Sequence, residues 1–172
     1  MSAFPAGLLR AARPLLVVLL AVAALLTVQS VQSATPSAHA ATMHERSVAM
    51  RHRAVHIAYL QRGKPYVYGA AGPRAFDCSG LVKYVYGRLG HSLPHSSRLM
   101  YRHVRHISHR AMRPGDIIFM NVNGGGPSGI DHVGIYAGHG YWWVARHTGT
   151  TITRQYLWTS HYWVGRVRLL QP

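Results

Sequence analysis

Acidic residues are nearly missing from this sequence. Its 172 residues carry 4 Asp and Glu against 19 Lys and Arg. So few carboxylates leave little material for a calcium or magnesium cage, which needs several oxygen ligands. A single cysteine excludes an internal disulfide framework and any multi-cysteine zinc or iron–sulfur site. The longest apolar run, Leu15 to Val28, falls short of the roughly 20 residues of a membrane-spanning helix. There is no internal repeat. Hydrophobic residues nevertheless make up 48 % of the chain, with 10 Tyr and 4 Trp, so a packed core is available and wholesale disorder is excluded. The length suits one domain with a tail. Chemistry must lean on the 13 His, the one Cys, Tyr and backbone groups.

The first forty residues read as an export signal. Arg10 and Arg13 form a positive start, the apolar run follows, and Ala38-His39-Ala40 gives a small-residue cleavage pattern. Cleavage after Ala34 is the rival cut, and an uncleaved anchor the alternative to cleavage. No cysteine lies near either cut, which excludes a lipoprotein anchor. Once the signal is removed, no stable membrane insertion is expected. The remainder keeps 17 Lys and Arg and 12 His against the same 4 acids, a balance that draws a protein toward polyanions. For an exported protein these are anionic wall polymers rather than nucleic acid. A nucleic-acid reading rests on charge alone, without a recognised motif. The plainer alternative is a solvated basic surface that serves solubility.

Along the chain, Val48, Val55, Ile57 and Leu60 predict a helix from Glu45 to Gln61, stopped by Gly63. Tyr66-Val67-Tyr68 reads as a short extended piece. Asp77 is an N-cap for a helix carrying Leu81, Val82, Val85 and Leu89, with Gly90 as its stop. Pro94 to Ser97 restarts the chain into a short helix through about His103. Arg113-Pro114-Gly115-Asp116 is turn chemistry ahead of a strand from Ile117 to Met120, and Asn121 to Gly129 is a Gly-rich loop. His132 to Ala137 alternates as a strand, Gly138-His139-Gly140 turns the chain, and strands follow over 141–147, 150–154 and 163–169. Helices first and antiparallel hairpins after argue an α+β fold.

Two residues stand out chemically. Cys78 begins a helix, where the backbone dipole and free N–H groups favour a thiolate. His132 opens an alternating strand, and a thiol nucleophile needs an imidazole-type base. Either residue alone reads more simply as a small buried hydrophobe or a structural histidine. His103, His106 and His109 stand at i, i+3, i+6, which on one helix gives a shared face; among arginines that face reads as solvated rather than as a zinc site. Trp142 and Trp143 read as sheet core, with a substrate groove as the second reading.

Five segments carry a resemblance: Tyr66-Val67-Tyr68-Gly69, Phe76-Asp77-Cys78-Ser79-Gly80-Leu81-Val82, Leu93-Pro94-His95-Ser96-Ser97-Arg98, Arg113-Pro114-Gly115-Asp116-Ile117-Ile118-Phe119 and Asp131-His132-Val133-Gly134-Ile135-Tyr136. In this order they resemble the NlpC/P60 family of cell-wall peptidases, from about Lys64 to Val167. The resemblance implies a papain-like α+β fold, with N-terminal helices packed on a mainly antiparallel sheet. Together with the export signal it gives a signal peptide (1–40), a basic helical segment (41–62) and a catalytic domain (63–172). It implies a secreted, wall-located cysteine endopeptidase that uses no metal or cofactor and cuts peptidoglycan stem peptides, usually between γ-linked D-glutamate and a diamino acid. Cys78 takes the place of the nucleophile, His132 of the base, and Tyr66 of a tyrosine that orients groups or steadies the oxyanion.

The family's third polar residue, which orients the imidazole, falls on Val144, and valine cannot hydrogen-bond. His147 can substitute only if its strand ends or bulges first, because three residues reverse the side-chain face. Arg146 has the right parity but repels an imidazolium. His95 stands where the family often has a basic or polar residue; it reads as an exposed residue at a helix start, or as a substrate contact. The departure at Val144 keeps a second function open: a weakened or inactive wall-binding module on the same fold. An acyl transferase is a third.

Overall fold

The computed structural model describes residues 36–168. The signal peptide expected over 1–40 lies outside them but for its last residues, as does Leu169, where the last strand was expected to end. Helix α1 spans Pro36–Tyr59, beginning earlier than the sequence pattern indicates. Proline is tolerated at a helix start and alanine has the highest helix propensity, and Pro36 to Thr42 holds both. From Met43 onward the chain forms one compact unit. There α1 buries Met50, Ala54 and Ala58, one face at i, i+4, i+8.

Helix α2 is Cys78–Gly87 and α3 is Ser97–His103, capped by Asp77 and Ser96. The strands are β1 (Arg105–Ile107), β2 (Ile117–Met120), β3 (His132–Gly138), β4 (Tyr141–Val144), β5 (Thr153–Tyr156) and β6 (Trp163–Arg166). They form one six-stranded antiparallel sheet in the order β1-β6-β2-β3-β4-β5. The α+β expectation is met, and the sheet carries two apolar layers. Val133, Ile135, Ile117 and Phe119 pack with Leu81, Val82 and Val85 of α2 and with α1. Ile118, Met120, Tyr136, Trp142, Val144 and Val164 form a second cluster. Alternation along β2, β3 and β4 sends successive side chains to the two sides.

Three expectations need correction. The strand from Tyr141 stops at Val144, not His147. The strand expected over 150–154 is β5, shifted to Thr153–Tyr156. The three histidines do not share a helix: α3 ends at His103, His106 lies in β1, and His109 opens a 3-10 turn. Ring stacking holds the last two, His106 on Tyr101 at 3.9 Å and His109 on Tyr162 at 4.4 Å. Among the described residues no helix is long and apolar enough to cross a membrane.

Candidate active site

A cleft of about 480 Å³ opens at the start of β3. Its walls include Tyr66, Cys78, His132, Trp142, Arg146, His147 and Trp158. Each arrives there by a local cause. Asp77 is buried beside Cys78, and its carboxylate accepts from the Gly80 N–H at 2.6 Å, the Ser79 hydroxyl at 3.0 Å and the Gly69 N–H at 2.9 Å. That cap fixes the first turn of α2 and so the cysteine. Gly80 is required by close approach: a Cβ there would meet the Ala70 carbonyl oxygen at 2.0 Å. Tyr66 is carried in by an irregular pairing, its N–H donating to the Thr150 carbonyl at 2.9 Å beside a Pro65–Thr151 bridge. His132 opens β3 opposite Met120.

His95 corrects its sequence reading. It is neither a merely exposed residue at a helix start nor a residue of the cleft wall; its Nε2–H donates to both Asp77 oxygens, at 2.9 and 3.0 Å. Burial acts to raise the Asp77 pKa, but the hydrogen bonds from Gly80, His95 and Ser79 outweigh it and hold the carboxyl below its usual range.

The thiol differs from its expectation too. Burial, and then the Asp77 charge, push Cys78 up to about 11, although backbone N–H groups of Ser79, Val133 and Cys78 itself pull the other way. Helix-start geometry is present, but desolvation wins over it. Burial also pushes His132 down to about 4, with Arg146 and His147 adding repulsion and Asp131 opposing them. Tyr66 is raised by burial and then by Cys78, so it keeps its proton and remains a donor. At neutral pH the cleft holds a neutral thiol, a neutral imidazole and a phenol.

No hydrogen bond reaches the His132 ring among the described residues. What faces it is aromatic: Trp142 meets it edge-on, with centroids 5.5 Å apart and planes at 88°. The indole lies over Gly134, where a Cβ would meet its Cε3 at 2.6 Å. Trp142 is 1 % exposed and its Nε1–H has no partner. Val144 is fully buried in the same apolar cluster. Because β4 ends at Val144, His147 does reach the cleft, yet its Nδ1–H donates to the Thr148 carbonyl at 2.9 Å and not to His132. Trp143 lies in the other layer, edge-on to Tyr59 at 5.8 Å. Trp158, by sequence a residue of sheet core or rim, is 66 % exposed on the cleft wall; neither it nor Gln155 was legible as a cleft residue, because a loop and an edge strand bring them there.

The NlpC/P60 family model matches residues 63–168. The chain is 44 % identical over 90 residues to the probable endopeptidase p60 of Listeria grayi, covering 52 % of this chain and 17 % of that one. It is 38 % identical over 121 residues to the murein DD-endopeptidase MepH of Escherichia coli (strain K12), covering 65 % and 43 %. It thus spans less than a fifth of the Listeria relatives. Among solved structures, the resuscitation promoting factor interacting protein RipA superposes with a TM-score of 0.63 at 32 % identity, over 70 % of this chain and 63 % of that one. RipA has been solved with changes at a cysteine, a histidine and a glutamate. That glutamate follows its histidine at the interval separating Val144 from His132. The matched span and the shared fold agree: this chain belongs to the NlpC/P60 family.

Proposed function

We propose that this chain is an exported cysteine endopeptidase that hydrolyses peptidoglycan stem peptides at the D-γ-glutamyl–diamino acid bond. In this reading residues 1–40 are the export signal, 41–62 a basic helical segment and 63–172 the catalytic domain, acting at the cell wall. The relatives named endopeptidase and murein DD-endopeptidase support the substrate class. The observation that carries the mechanism is that Cys78 and His132, remote in sequence, line one open cleft with Cys78 only partly buried.

The reaction starts from the neutral pair. His132 accepts the thiol proton as sulfur attacks the scissile carbonyl carbon. The oxyanion takes hydrogen bonds from backbone N–H at the start of α2 and from the Tyr66 hydroxyl. The tetrahedral intermediate collapses as the imidazolium returns its proton to the leaving amine, and water then hydrolyses the thioester with His132 again as base. Purified walls should release peptide fragments with the wild-type protein and none with Cys78→Ala. A Cys78→Ala variant as active as wild type overturns the mechanism.

One observation favours a second reading, a weakened or inactive wall-binding module: His132 is backed by Trp142 and Val144, with no polar group to orient it. That reading requires wall binding without bond cleavage by the wild-type protein. If the natural chain is crippled at this position, Val144→His raises fragment release well above wild type; if packing against Trp142 suffices, it does not.

A further inference from the structure

The cleft holds a cation that the peptidase mechanism does not use. Arg146 lies two residues beyond the end of β4 and is part of the cleft wall. Its guanidinium has no ion pair or hydrogen bond among the described residues, and the three aspartates are engaged elsewhere. Asp77 is taken by His95 and Asp116 by Arg166. Asp131, across the same cleft, accepts from the Val122 N–H and from Asn123 Nδ2–H, each at 3.0 Å. Glu45 sits on α1.

We propose that Arg146 forms a carboxylate subsite on the leaving-group side of the cleft, so that the preferred stem peptide carries a diamino acid with a free side-chain carboxylate. This rests on the peptidase reading and deepens it by naming the diamino acid's class: diaminopimelate carries such a carboxylate, and lysine does not.

The side of the cleft follows from the chemistry. The leaving amine must receive its proton from His132, so the residue that departs lies toward His132 and away from Asp77. Arg146 belongs to that half: it follows β4, which pairs along β3, the strand that His132 opens. A planar guanidinium pairs with a carboxylate in two parallel hydrogen bonds, a geometry an ammonium cannot copy. Trp142, Met120, Val122 and Trp158 line the same cleft, and Arg146 itself is exposed at its wall, so the worth of the pair lies in its two-bond geometry rather than in burial. Occupancy also serves the reaction. An unpaired Arg146 opposes the imidazolium that forms on attack, and a substrate carboxylate placed against it removes that opposition. The substrate that fits the subsite thereby relieves the base.

The test uses two synthetic stem peptides that differ only in the third residue, diaminopimelate or lysine, with the whole protein. Wild type should favour the diaminopimelate peptide by about tenfold in kcat/KM, the worth of one charge-assisted pair. Arg146→Gln should bring the ratio of the two close to one, and Arg146→Lys should keep part of the preference. A wild type without preference, or an Arg146→Gln protein that retains it, overturns the subsite. If wild type cleaves neither peptide, the peptidase reading fails instead. Equilibrium binding of both peptides to Cys78→Ala then reads the subsite alone: tighter binding of the diaminopimelate peptide that Arg146→Gln abolishes sustains it, and equal affinities overturn it.

Discussion

At the scale of single residues, the resting proton sits on sulfur. With Cys78 pushed up to about 11 and His132 down to about 4, a thiolate–imidazolium pair is not the ground state, and the ion pair arises only during attack. Alkylation of Cys78, the chain's one cysteine, measures this directly. Its rate with iodoacetamide should climb about tenfold per pH unit through the neutral range, following the thiolate fraction. A plateau already reached near pH 5 would show a preformed thiolate and contradict the arrangement described. Slow labelling at neutral pH does not separate an enzyme from a binding module on this fold, because both start from a protonated sulfur. Release of wall fragments does. The same balance explains why helix-start geometry, read from sequence, gave the wrong sign for the thiol. The position of Cys78 after Asp77 was legible, but its burial and the charge of a capping carboxylate beside it are properties of the folded neighbourhood.

At the scale of elements, the sheet is pinned by a contact that no motif announced. The Asp116 carboxylate, fully buried, takes both its oxygens to Arg166 of β6, with Nε–Oδ1 and Nη2–Oδ2 at 2.7 Å, and also accepts from the Arg113 N–H at 2.7 Å. Arg166→Ala leaves a buried charge without its counter-ion and should cost about 3–5 kcal/mol, read as a lowered midpoint in urea unfolding. An unchanged midpoint would mean that Arg113 and water satisfy Asp116 alone. Local pattern made α2, α3, β2 and β3 readable: caps, helical spacing and alternation lie within a few neighbouring residues. The turn at Gly138-His139-Gly140 was readable for the same reason; its two residues between the strands, His139 and Gly140, take the positive φ (52° and 76°) that such a hairpin demands. What failed to show was long-range. β1 is three residues long with an exposed, basic face, so it carries no alternation, and only pairing with β6 makes it a strand. Tyr66 enters the cleft through its N–H bond to the Thr150 carbonyl, beside the Pro65–Thr151 bridge, 84 positions away in a direction no pattern specifies. His95 finds Asp77 through the turn between α2 and α3. Of the cleft, sequence motifs supplied Cys78, His132 and Tyr66, while Arg146, although of the right parity, was set aside on repulsion. The early end of β4 undoes parity as a guide to where residues beyond Val144 lie.

At the scale of the whole molecule, two of the four acids are spent internally, and this shapes the outer field. Asp77 and Asp116 are buried in pairs, so they neutralise almost nothing outside. Between Arg98 and Arg113 the surface shows Arg98, Arg102, Arg105, Arg110 and Arg113, all exposed, with no acid in the segment. β1 lies at the edge of the sheet, separated from β3 and its His132 by β6 and β2, so this basic edge can engage a polyanion while the cleft works on a peptide. Attraction of this kind is long-ranged at low salt and weakens as the screening length falls, from about 10 Å at 0.1 M to about 3 Å at 1 M. Cys78→Ala protein, which leaves walls undigested in the proposed mechanism, should therefore bind purified walls at low ionic strength and elute as sodium chloride rises toward 1 M. Walls stripped of their anionic polymers should retain much less of it at the same low salt. Binding that survives both high salt and stripping would place recognition in the peptide cleft and make the basic edge a solubility device. Replacing Arg102, Arg105 and Arg110 together by Gln separates the two contributions further: it should shift elution to lower salt while leaving cleavage of a small soluble stem peptide in place, since none of the three lines the cleft.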